Sequence, residues 1–239
     1  MTYASVSRTG GRSANEDRAV CIERNGNYCF AVADGLGAHG KGGAAAEILT
    51  DVCERELRAE GEKGRDFLRR VFDTAQDEIT AAQRTPSEMR TTAVVLSVIN
   101  GRFTWGHIGD SRLYWFRRGR LRKRTLDHSV PQMLVSARQI KETDIARHPD
   151  RNVLLKSMGD KWDSPYTCYE ISGERRLSGN DAFLLCSDGF WEHLTADTIG
   201  RLLKGSGNAE EWLGSLLSAA ESGLDASEAD NYTAVAVIN

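Results

Sequence analysis

The sequence of 239 residues is short of several features, and each shortage excludes a class of protein. Its five cysteines are an odd, scattered set without C-x-x-C spacing, which argues against a disulfide framework and against a zinc site. No apolar run is long enough to span a membrane, and the first residues lack the apolar core of a signal peptide. Positive charge is not in excess, since the net charge is −3, so nonspecific nucleic-acid binding is not expected. We therefore expect a cytoplasmic protein with neither nucleic-acid nor membrane partners.

Proline is also scarce, and no Pro/Gly/Ser-rich linker divides the chain. The composition, with 40% hydrophobic and 27% charged residues, is typical of a globular protein with a sizeable core. Strand-like runs extend from the first residues to the last, so we predict a single domain over residues 1–239, and a monomer. The polar segment 135–152 is predicted to form a mobile excursion from this domain.

Three turn signals indicate antiparallel pairing. Asn25-Gly26 and Asn100-Gly101 each lie between two strand-like runs, and Arg118-Gly119 occupies the same kind of position. Asn-Gly favours a tight hairpin because both central residues need a positive φ. Parallel strands cannot be joined by two residues. The early strands therefore belong to antiparallel sheets.

Three runs are apolar almost throughout, over residues 92–99, 182–186 and 233–238, as expected for strands that are covered on both faces. Stripes of apolar residues at helical spacing predict covering helices, and Thr195 is a candidate N-cap. Together these patterns predict an α+β fold in which two antiparallel sheets pack together with helices outside. The stripes contain Ile48, Leu49, Val52, Cys53 and Leu57; Leu68, Val71, Phe72, Ala75 and Ile79; Ile199, Leu202 and Leu203; and Trp212, Leu213, Leu216, Leu217 and Ala220.

Acidic residues recur near the ends of the predicted strands. Asp34 ends an apolar run and Asp188 follows another, while Asp17 and Asp230 lie close to further strands. Such acids can meet at one rim of a sandwich, but buried carboxylates repel one another unless positive charge joins them. An all-oxygen ligand set selects hard cations such as Mg²⁺ or Mn²⁺. A glycine directly after the acid, as at Gly35, lets the backbone turn sharply and offer its carbonyl to an ion.

The glycine-rich loop that begins at Gly35 also fits a nucleotide-binding pattern. From Gly35 to Lys41 it matches G-x-x-x-x-G-K, but Gly42 stands where a Ser or Thr should coordinate Mg²⁺. Phosphate-cradling loops of this kind belong to parallel βαβ units, whereas the hairpins here are antiparallel. The sequence therefore favours a metal site over a nucleotide site.

The order of short motifs resembles that of the metal-dependent type 2C protein phosphatases (the PPM family), bacterial branch. The motifs cover nearly the whole chain, and each is weak alone but specific in this order. They are G-x-R-x-x-N-E-D (10–17), A-D-G-x-G (33–37), T-T-x-V-V (91–95), G-D-S-R (109–112), D-H-S (127–129), H-P-x-R-N (148–152), S-D-G (187–189) and D-N-x-T (230–233).

The resemblance implies a four-layer αββα sandwich, with two antiparallel sheets flanked by helix pairs, and a flap around residues 135–152. It implies two core Mn²⁺ or Mg²⁺ ions and, as in many bacterial members, a third. By this resemblance, Asp34 would bridge the two core metals, the Gly35 carbonyl would bind one of them, and Asp188 and Asp230 would bind the other. Asp17 would act through metal-bound water, and Asp110 would bind the third metal. Arg12 would bind the substrate phosphate.

The activity implied by the resemblance is hydrolysis of phosphoserine and phosphothreonine in proteins, by direct attack of a water that bridges the metals. The implied partners are phosphorylated proteins, the substrates of a bacterial Ser/Thr kinase. Two alternatives stay open at this point. One is a non-catalytic phosphoprotein-binding module on the same fold, and the other is a phosphomonoesterase for small molecules.

Two positions depart from the family pattern. Many eukaryotic members have a histidine two residues after the bridging Asp, where this chain has Leu36, and His39 is the substitute candidate for the general acid. Bacterial members usually have a glycine at the start of the flap, where this chain has Arg138.

Overall fold

The computed structural model describes residues 1–37, 41–59, 66–85, 88–162, 168–223, 227 and 229–239. His39, the candidate general acid, lies outside the described residues. Within them the chain forms two main antiparallel sheets. The first sheet has the order β1 (Thr2–Arg8), β13 (Tyr232–Ile238), β12 (Asp181–Cys186), β8 (Arg112–Arg117) and β9 (Arg120–Arg124). The second has the order β10 (Glu170–Ile171), β7 (Arg102–Ile108), β6 (Ala93–Ile99), β3 (Asn27–Ala33) and β2 (Arg18–Arg24), with β11 (Arg175–Arg176) also pairing with β7. A small third sheet joins β4 (Gly35–Leu36) to β5 (Arg90–Thr91).

Helices cover the outer face of each main sheet. On the second sheet lie α1 (Lys41–Arg58) and α2 (Phe67–Ala82), and on the first lie α5 (Ala196–Lys204) and α6 (Ala209–Glu221). Shorter helices are α3 (Val130–Ser136), α4 (Asp188–Trp191) and the 3₁₀ helix Glu142–Arg147. No helix in the described ranges is both long and apolar enough to cross a membrane.

Three apolar layers separate the four layers of secondary structure. Along β3 alternate side chains enter different layers: Phe30 and Val32 pack between the two sheets, whereas Ala31 and Ala33 face the helices. Because both faces of β3 are covered, its run of apolar residues has no polar alternation. The predicted αββα sandwich is confirmed.

The three predicted hairpins are confirmed, and their turns have the expected left-handed backbone. The positive φ angles are 52° and 74° at Asn25-Gly26, 50° and 69° at Asn100-Gly101, and 55° and 65° at Arg118-Gly119. These turns join β2 to β3, β6 to β7, and β8 to β9. The N-cap at Thr195 is also confirmed, since its hydroxyl accepts a hydrogen bond from the Thr198 amide at 3.2 Å.

The segment 135–152 begins with the end of α3, and its 3₁₀ helix packs back on the fold through the buried Ile145. At its start, Arg138 has φ of 60°, the left-handed conformation that a glycine adopts without cost. The Arg138 amide donates to the Val135 carbonyl at 2.9 Å, and the Gln139 amide donates to the Leu134 carbonyl at 2.9 Å. These bonds close the C-terminus of α3, so the backbone keeps the glycine-type turn although the residue is arginine.

We expect Arg138→Gly to raise the free energy of unfolding by about 0.5–1 kcal/mol. Glycine removes the steric cost of the left-handed conformation, and the greater freedom of the unfolded chain offsets part of that gain. Urea unfolding measures the effect, with Arg138→Ala as the control that removes the side chain but keeps the Cβ. Equal stability of the glycine and alanine variants would contradict the assignment of strain to this position.

Candidate metal-binding pocket

Asp34 follows directly after β3, and paired threonines hold its backbone. Its amide donates to the Thr92 hydroxyl at 3.0 Å, and its carbonyl accepts from the Thr91 hydroxyl at 2.9 Å. The Thr92 hydroxyl also lies 2.7 Å from that of Ser111. The T-T and G-D-S-R motifs thus fix the end of β3 and the loop that carries Asp110 with one chain of hydrogen bonds.

Asp188 begins α4 just past the end of β12, and the residue before it contacts a third acid. The Ser187 hydroxyl donates to Asp17 at 2.8 Å and accepts from the Thr233 amide at 2.9 Å. This bridge brings Asp17, from the loop before β2, beside the strand ends that carry Asp188 and Asp230.

Asp230 precedes β13, and its neighbour Asn231 ties down the loop between β1 and β2. The Asn231 amide group donates to the Thr9 carbonyl at 2.8 Å and to the Ala14 carbonyl at 3.0 Å. Its side-chain oxygen accepts from the Glu16 amide at 2.8 Å. The loop is thereby held so that Arg12 reaches Asp230, with 2.8 Å between Nη2 and Oδ2. Apart from its place in the D-N-x-T motif, no sequence signal had singled out Asn231.

These elements enclose a pocket of about 480 Å³ at one end of the sandwich. Six of the eight residues predicted for the site line it, and Asp17 lies buried behind it, bonded to Ser187. The predicted residues in the lining are Arg12, Asp34, Gly35, Asp110, Asp188 and Asp230.

Two glycines let the backbone segments around the pocket approach closely. A Cβ on Gly35 would lie 2.3 Å from the backbone carbon of Gly42 in α1, and a Cβ on Gly189 would lie 2.3 Å from the Asn231 carbonyl oxygen. Both contacts are shorter than any side chain tolerates, so each Asp-Gly pair of the sequence has a packing reason for its glycine.

The crowded acids disfavour their own charged forms. Burial and the nearby charge of Asp188 raise the pKa of Asp34 well above its usual range, and burial and Asp188 do the same to the pKa of Asp110. Burial and the nearby charge of Asp230 raise the pKa of Asp188. Burial raises the pKa of Asp17 to about 7. A positive group in the pocket would reverse these effects.

The donor set fits hard divalent cations. The Asp17 Oδ1 atom is buried without a hydrogen-bond partner in the described part of the chain, which marks an unsatisfied acceptor beside the pocket. The side chains are not preassembled, however, because no three acidic, histidine or cysteine residues among those described already form a ligand group. Instead Arg12 pairs with Asp230, and the Gly189 amide donates to Asp188 at 2.6 Å. A cation at Asp230 would therefore compete with Arg12 for its carboxylate.

A buried charge network supports Asp110 from behind. The Trp191 indole N–H donates to the Asp110 carbonyl at 3.0 Å, and the Arg112 guanidinium carbon lies 3.3 Å from the centroid of the Trp191 ring. Arg112 also donates two hydrogen bonds to Asp127, at 2.8 and 2.6 Å. Asp127 further accepts from Arg124 at 3.2 Å. The sequence placed Arg112 and Asp127 in two separate motifs, and nothing in it indicated that they pair.

His128 lies beside this network, not in the pocket. Its ring stacks on that of His107 with 4.9 Å between centroids, and its Nδ1 atom accepts from the Gly109 amide at 3.2 Å. Burial and His107 lower the pKa of His128 to about 4, and burial lowers the pKa of His107.

We expect the histidine stack to destabilise the protein on mild acidification. A depressed pKa means that the unfolded chain, with histidine near 6.5, binds protons that the folded protein excludes. Stability is therefore complete above pH 6.5 and is lost between pH 6.5 and 4. For His128 the loss at pH 5.5 is about 1.4 kcal/mol. Urea unfolding at pH 7.5 and 5.5 measures it, and His128→Gln should lose about 1.4 kcal/mol less than the wild type. An unchanged pH dependence in this variant would contradict the prediction.

The fold and the acid-lined pocket together place this chain among the αββα sandwiches with a candidate divalent-cation site. Comparison with known proteins then gives the family. Residues 7–218 match the family described as Protein phosphatase 2C, and the chain belongs to that family.

Individual relatives agree with this assignment. A putative protein phosphatase 2C-type of Streptococcus pyogenes is 30% identical over 205 residues, which cover 80% of this chain and 79% of the relative. The crystal structure of the Mycobacterium tuberculosis serine/threonine phosphatase PstP/Ppp superposes with a TM-score of 0.84 at 27% identity, covering 99% of this chain and 98% of that one. A structure of the PstP catalytic domain in complex with two manganese ions superposes with a TM-score of 0.81 at 25% identity, covering 98% and 96%.

Proposed function

We propose that this protein is a Mn²⁺- or Mg²⁺-dependent phosphatase of phosphoserine and phosphothreonine in proteins. The observation that carries the proposal is the concentration of buried carboxylates at one pocket beside an arginine, with a buried oxygen of Asp17 that has no hydrogen-bond partner among the described residues. Family membership and the manganese-containing relative support the same conclusion.

Each residue has a proposed task. Asp34, the Gly35 carbonyl, Asp188 and Asp230 would hold two core cations, and Asp110 would hold a third together with Asp188. When bound, divalent cations supply positive charge to the crowded acids and make water a nucleophile near neutral pH.

Arg12 is proposed to bind the phosphoryl group. Its side chain is 59% exposed at the pocket and its fork of N–H groups matches phosphate oxygens. In the present arrangement the guanidinium neutralises Asp230, so it can turn toward a phosphate only when Asp230 has another counter-charge. His39 remains the proposed proton donor to the leaving hydroxyl.

We further propose that the protein acts as a monomeric single domain over residues 1–239, with a flap around residues 135–152, in the cytoplasm. Its substrates would be proteins phosphorylated by a bacterial Ser/Thr kinase. The flap proposal is supported by the position of Asn152 and Leu154, which line the pocket next to the end of that segment.

The function is tested with a substrate panel in Mn²⁺. Phosphothreonine and phosphoserine peptides should be hydrolysed in preference to free phosphometabolites, and Asp188→Asn should lower kcat/KM by about a hundred- to a thousandfold. His39→Gln should lower kcat if His39 donates the proton. Binding of phosphopeptides without hydrolysis would instead identify a binding module, and hydrolysis confined to small phosphomonoesters would identify a metabolite phosphatase.

A further inference from the structure

A strongly basic hairpin lies away from the pocket on a chain that is acidic overall. Residues 112–124, R-L-Y-W-F-R-R-G-R-L-R-K-R, include seven basic residues and no acid, although the whole chain has a net charge of −3. Three of the seven are neutralised inside the fold: Arg112 and Arg124 by Asp127, and Arg117 by Asp181.

The other four basic residues of the hairpin are exposed. Arg118, Arg120, Arg122 and Lys123 form no ion pair with any carboxylate of the described residues, and they follow one another along the turn and β9. We call these four residues the basic edge.

The neighbouring strand of the other sheet adds cations to the same surface. The Arg117 guanidinium donates to the Arg176 carbonyl at 3.1 Å, which places β11 next to the hairpin. Arg175 and Lys123 both lie over the Trp105 ring, at 5.2 and 5.8 Å from its centroid. Positive charge is therefore concentrated where the two sheets meet.

β9 is also an open edge of its sheet. Among the described strands it pairs with β8 alone, so the N–H and C=O groups on its outer side have no strand partner. Edge strands often carry charge merely to prevent aggregation. The opposite edge of this sheet, β1, has a single charged residue, Arg8, so protection of an edge in this fold does not require a row of four cations.

We propose that the basic edge is a docking site for an extended acidic segment of a phosphoprotein partner, which pairs with β9 as an additional strand. Backbone hydrogen bonds would supply affinity and the arginines would select for acidic side chains. Nucleic acid fits less well, because the aromatic rings nearest the cations, Trp105 and Trp115, are 2% and 8% exposed and offer no face for stacking bases.

The direction of β9 connects this site to the pocket. From the turn at Arg118 the strand runs back toward Thr125, which bonds to Leu113, three residues after Asp110 in the pocket lining. Lys123 lies opposite Trp115, five residues from Asp110, and Arg118 is eight residues from Asp110, which at ~3.3 Å per residue gives about 17 and 26 Å. A phosphopeptide that extends fewer than about five residues from the pocket does not reach the basic edge, whereas a protein substrate with an acidic segment about five to eight residues from its phosphorylated residue does.

The binding experiment needs no catalysis. A fluorescent, unphosphorylated peptide with a six-residue Asp/Glu tract is titrated with wild-type protein and with the triple variant Arg120→Gln, Arg122→Gln and Lys123→Gln. The triple variant should bind at least about tenfold more weakly. A matched variant, Arg58→Gln, Arg69→Gln and Lys161→Gln, loses the same charge elsewhere and should bind within about twofold of wild type. Equal weakening in both variants would overturn the proposal.

Two further probes test the mode and the class of partner. A peptide N-methylated at alternate amides cannot complete the strand ladder and should bind about tenfold more weakly; unchanged binding would overturn the pairing with β9. A single-stranded oligonucleotide of equal charge and vesicles of anionic lipid should bind more weakly than the peptide. Tighter binding of either, lost in the triple variant, would overturn an acidic polypeptide as the occupant.

The link to substrates rests on the proposed function and is tested separately. With Mn²⁺, a phosphothreonine peptide whose acidic tract begins about five residues away should have a KM about tenfold lower than the same peptide without the tract. This advantage should disappear in the triple variant, while hydrolysis of p-nitrophenyl phosphate stays unchanged. If no phosphoester is hydrolysed but the peptide still binds at β9, the proposed function fails and the docking site stands. If hydrolysis is normal but the tract has no effect, the link to substrates fails.

Discussion

Asp34→Asn is expected to remove activity and, at the same time, to stabilise the metal-free protein. Hydrolysis of p-nitrophenyl phosphate in Mn²⁺ should fall at least about a thousandfold, because the variant lacks the carboxylate at the centre of the acid cluster. The free energy of unfolding without metal at pH 7.5 should rise by about 1–3 kcal/mol, because an amide removes one charge from a crowded, buried group of acids. The shift of the melting temperature on addition of Mn²⁺ should disappear.

The control for this prediction is Asp51→Asn, the same chemical change at an exposed position of α1. It should leave activity unchanged and stability within about 0.5 kcal/mol of the wild type. Loss of stability in Asp34→Asn would show that its carboxylate is satisfied without a cation, and it would remove the electrostatic argument for a metal site. Retention of the Mn²⁺-induced shift would place the cations elsewhere.

Asp127→Ala should cause the largest loss of stability, about 3–5 kcal/mol. The side chain of Asp127 is 1% exposed and is the carboxylate partner of two arginines, Arg112 and Arg124, whose side chains are each 7% exposed. Removing it leaves two buried guanidinium groups with less negative charge beside them. Breaking a buried ion pair costs far more free energy than the intact pair contributes to stability. The measurement is urea unfolding at pH 7.5.

A surface pair gives the matched control. Glu54 pairs with Arg58 on α1 at 2.7 Å, but these side chains are 42% and 64% exposed. Glu54→Ala should cost less than about 0.5 kcal/mol, because water screens the pair and solvates the arginine that remains. Similar losses in the two variants would contradict the assignment of Asp127 as the centre of a buried network.

Much of the fold could be predicted because its signals are local. The positive φ at Asn25 and Asn100, and the cap at Thr195, depend on neighbours within a few residues. The apolar stripes of α1 and α2 predicted which helix faces are buried, since burial follows the helical period. The burial of both faces of β6 and β12 could be predicted because their sequences are apolar runs without polar alternation.

The candidate site was less predictable because its contacts join distant parts of the chain. Motif order was sufficient to select the acids and Arg12, whose roles as ligands and phosphate binder stay predictions. It did not indicate that Arg12 pairs with Asp230, or that Thr92 bonds to Ser111. The turn conformation at Arg138 could not be predicted from the sequence, because this residue replaces the usual glycine. The structure shows a left-handed turn held by backbone hydrogen bonds to the end of α3.

Local sequence was enough to predict the antiparallel hairpins, the buried helix faces and the kind of residue available to a metal, because turn chemistry and hydrophobic periodicity act over a few residues. The folded arrangement was needed to show which acids share a pocket, which charges are neutralised and which edge of a sheet stays open. Those outcomes depend on through-space electrostatics and packing between segments as far apart as Arg12 and Asp230, and no local pattern records such distances.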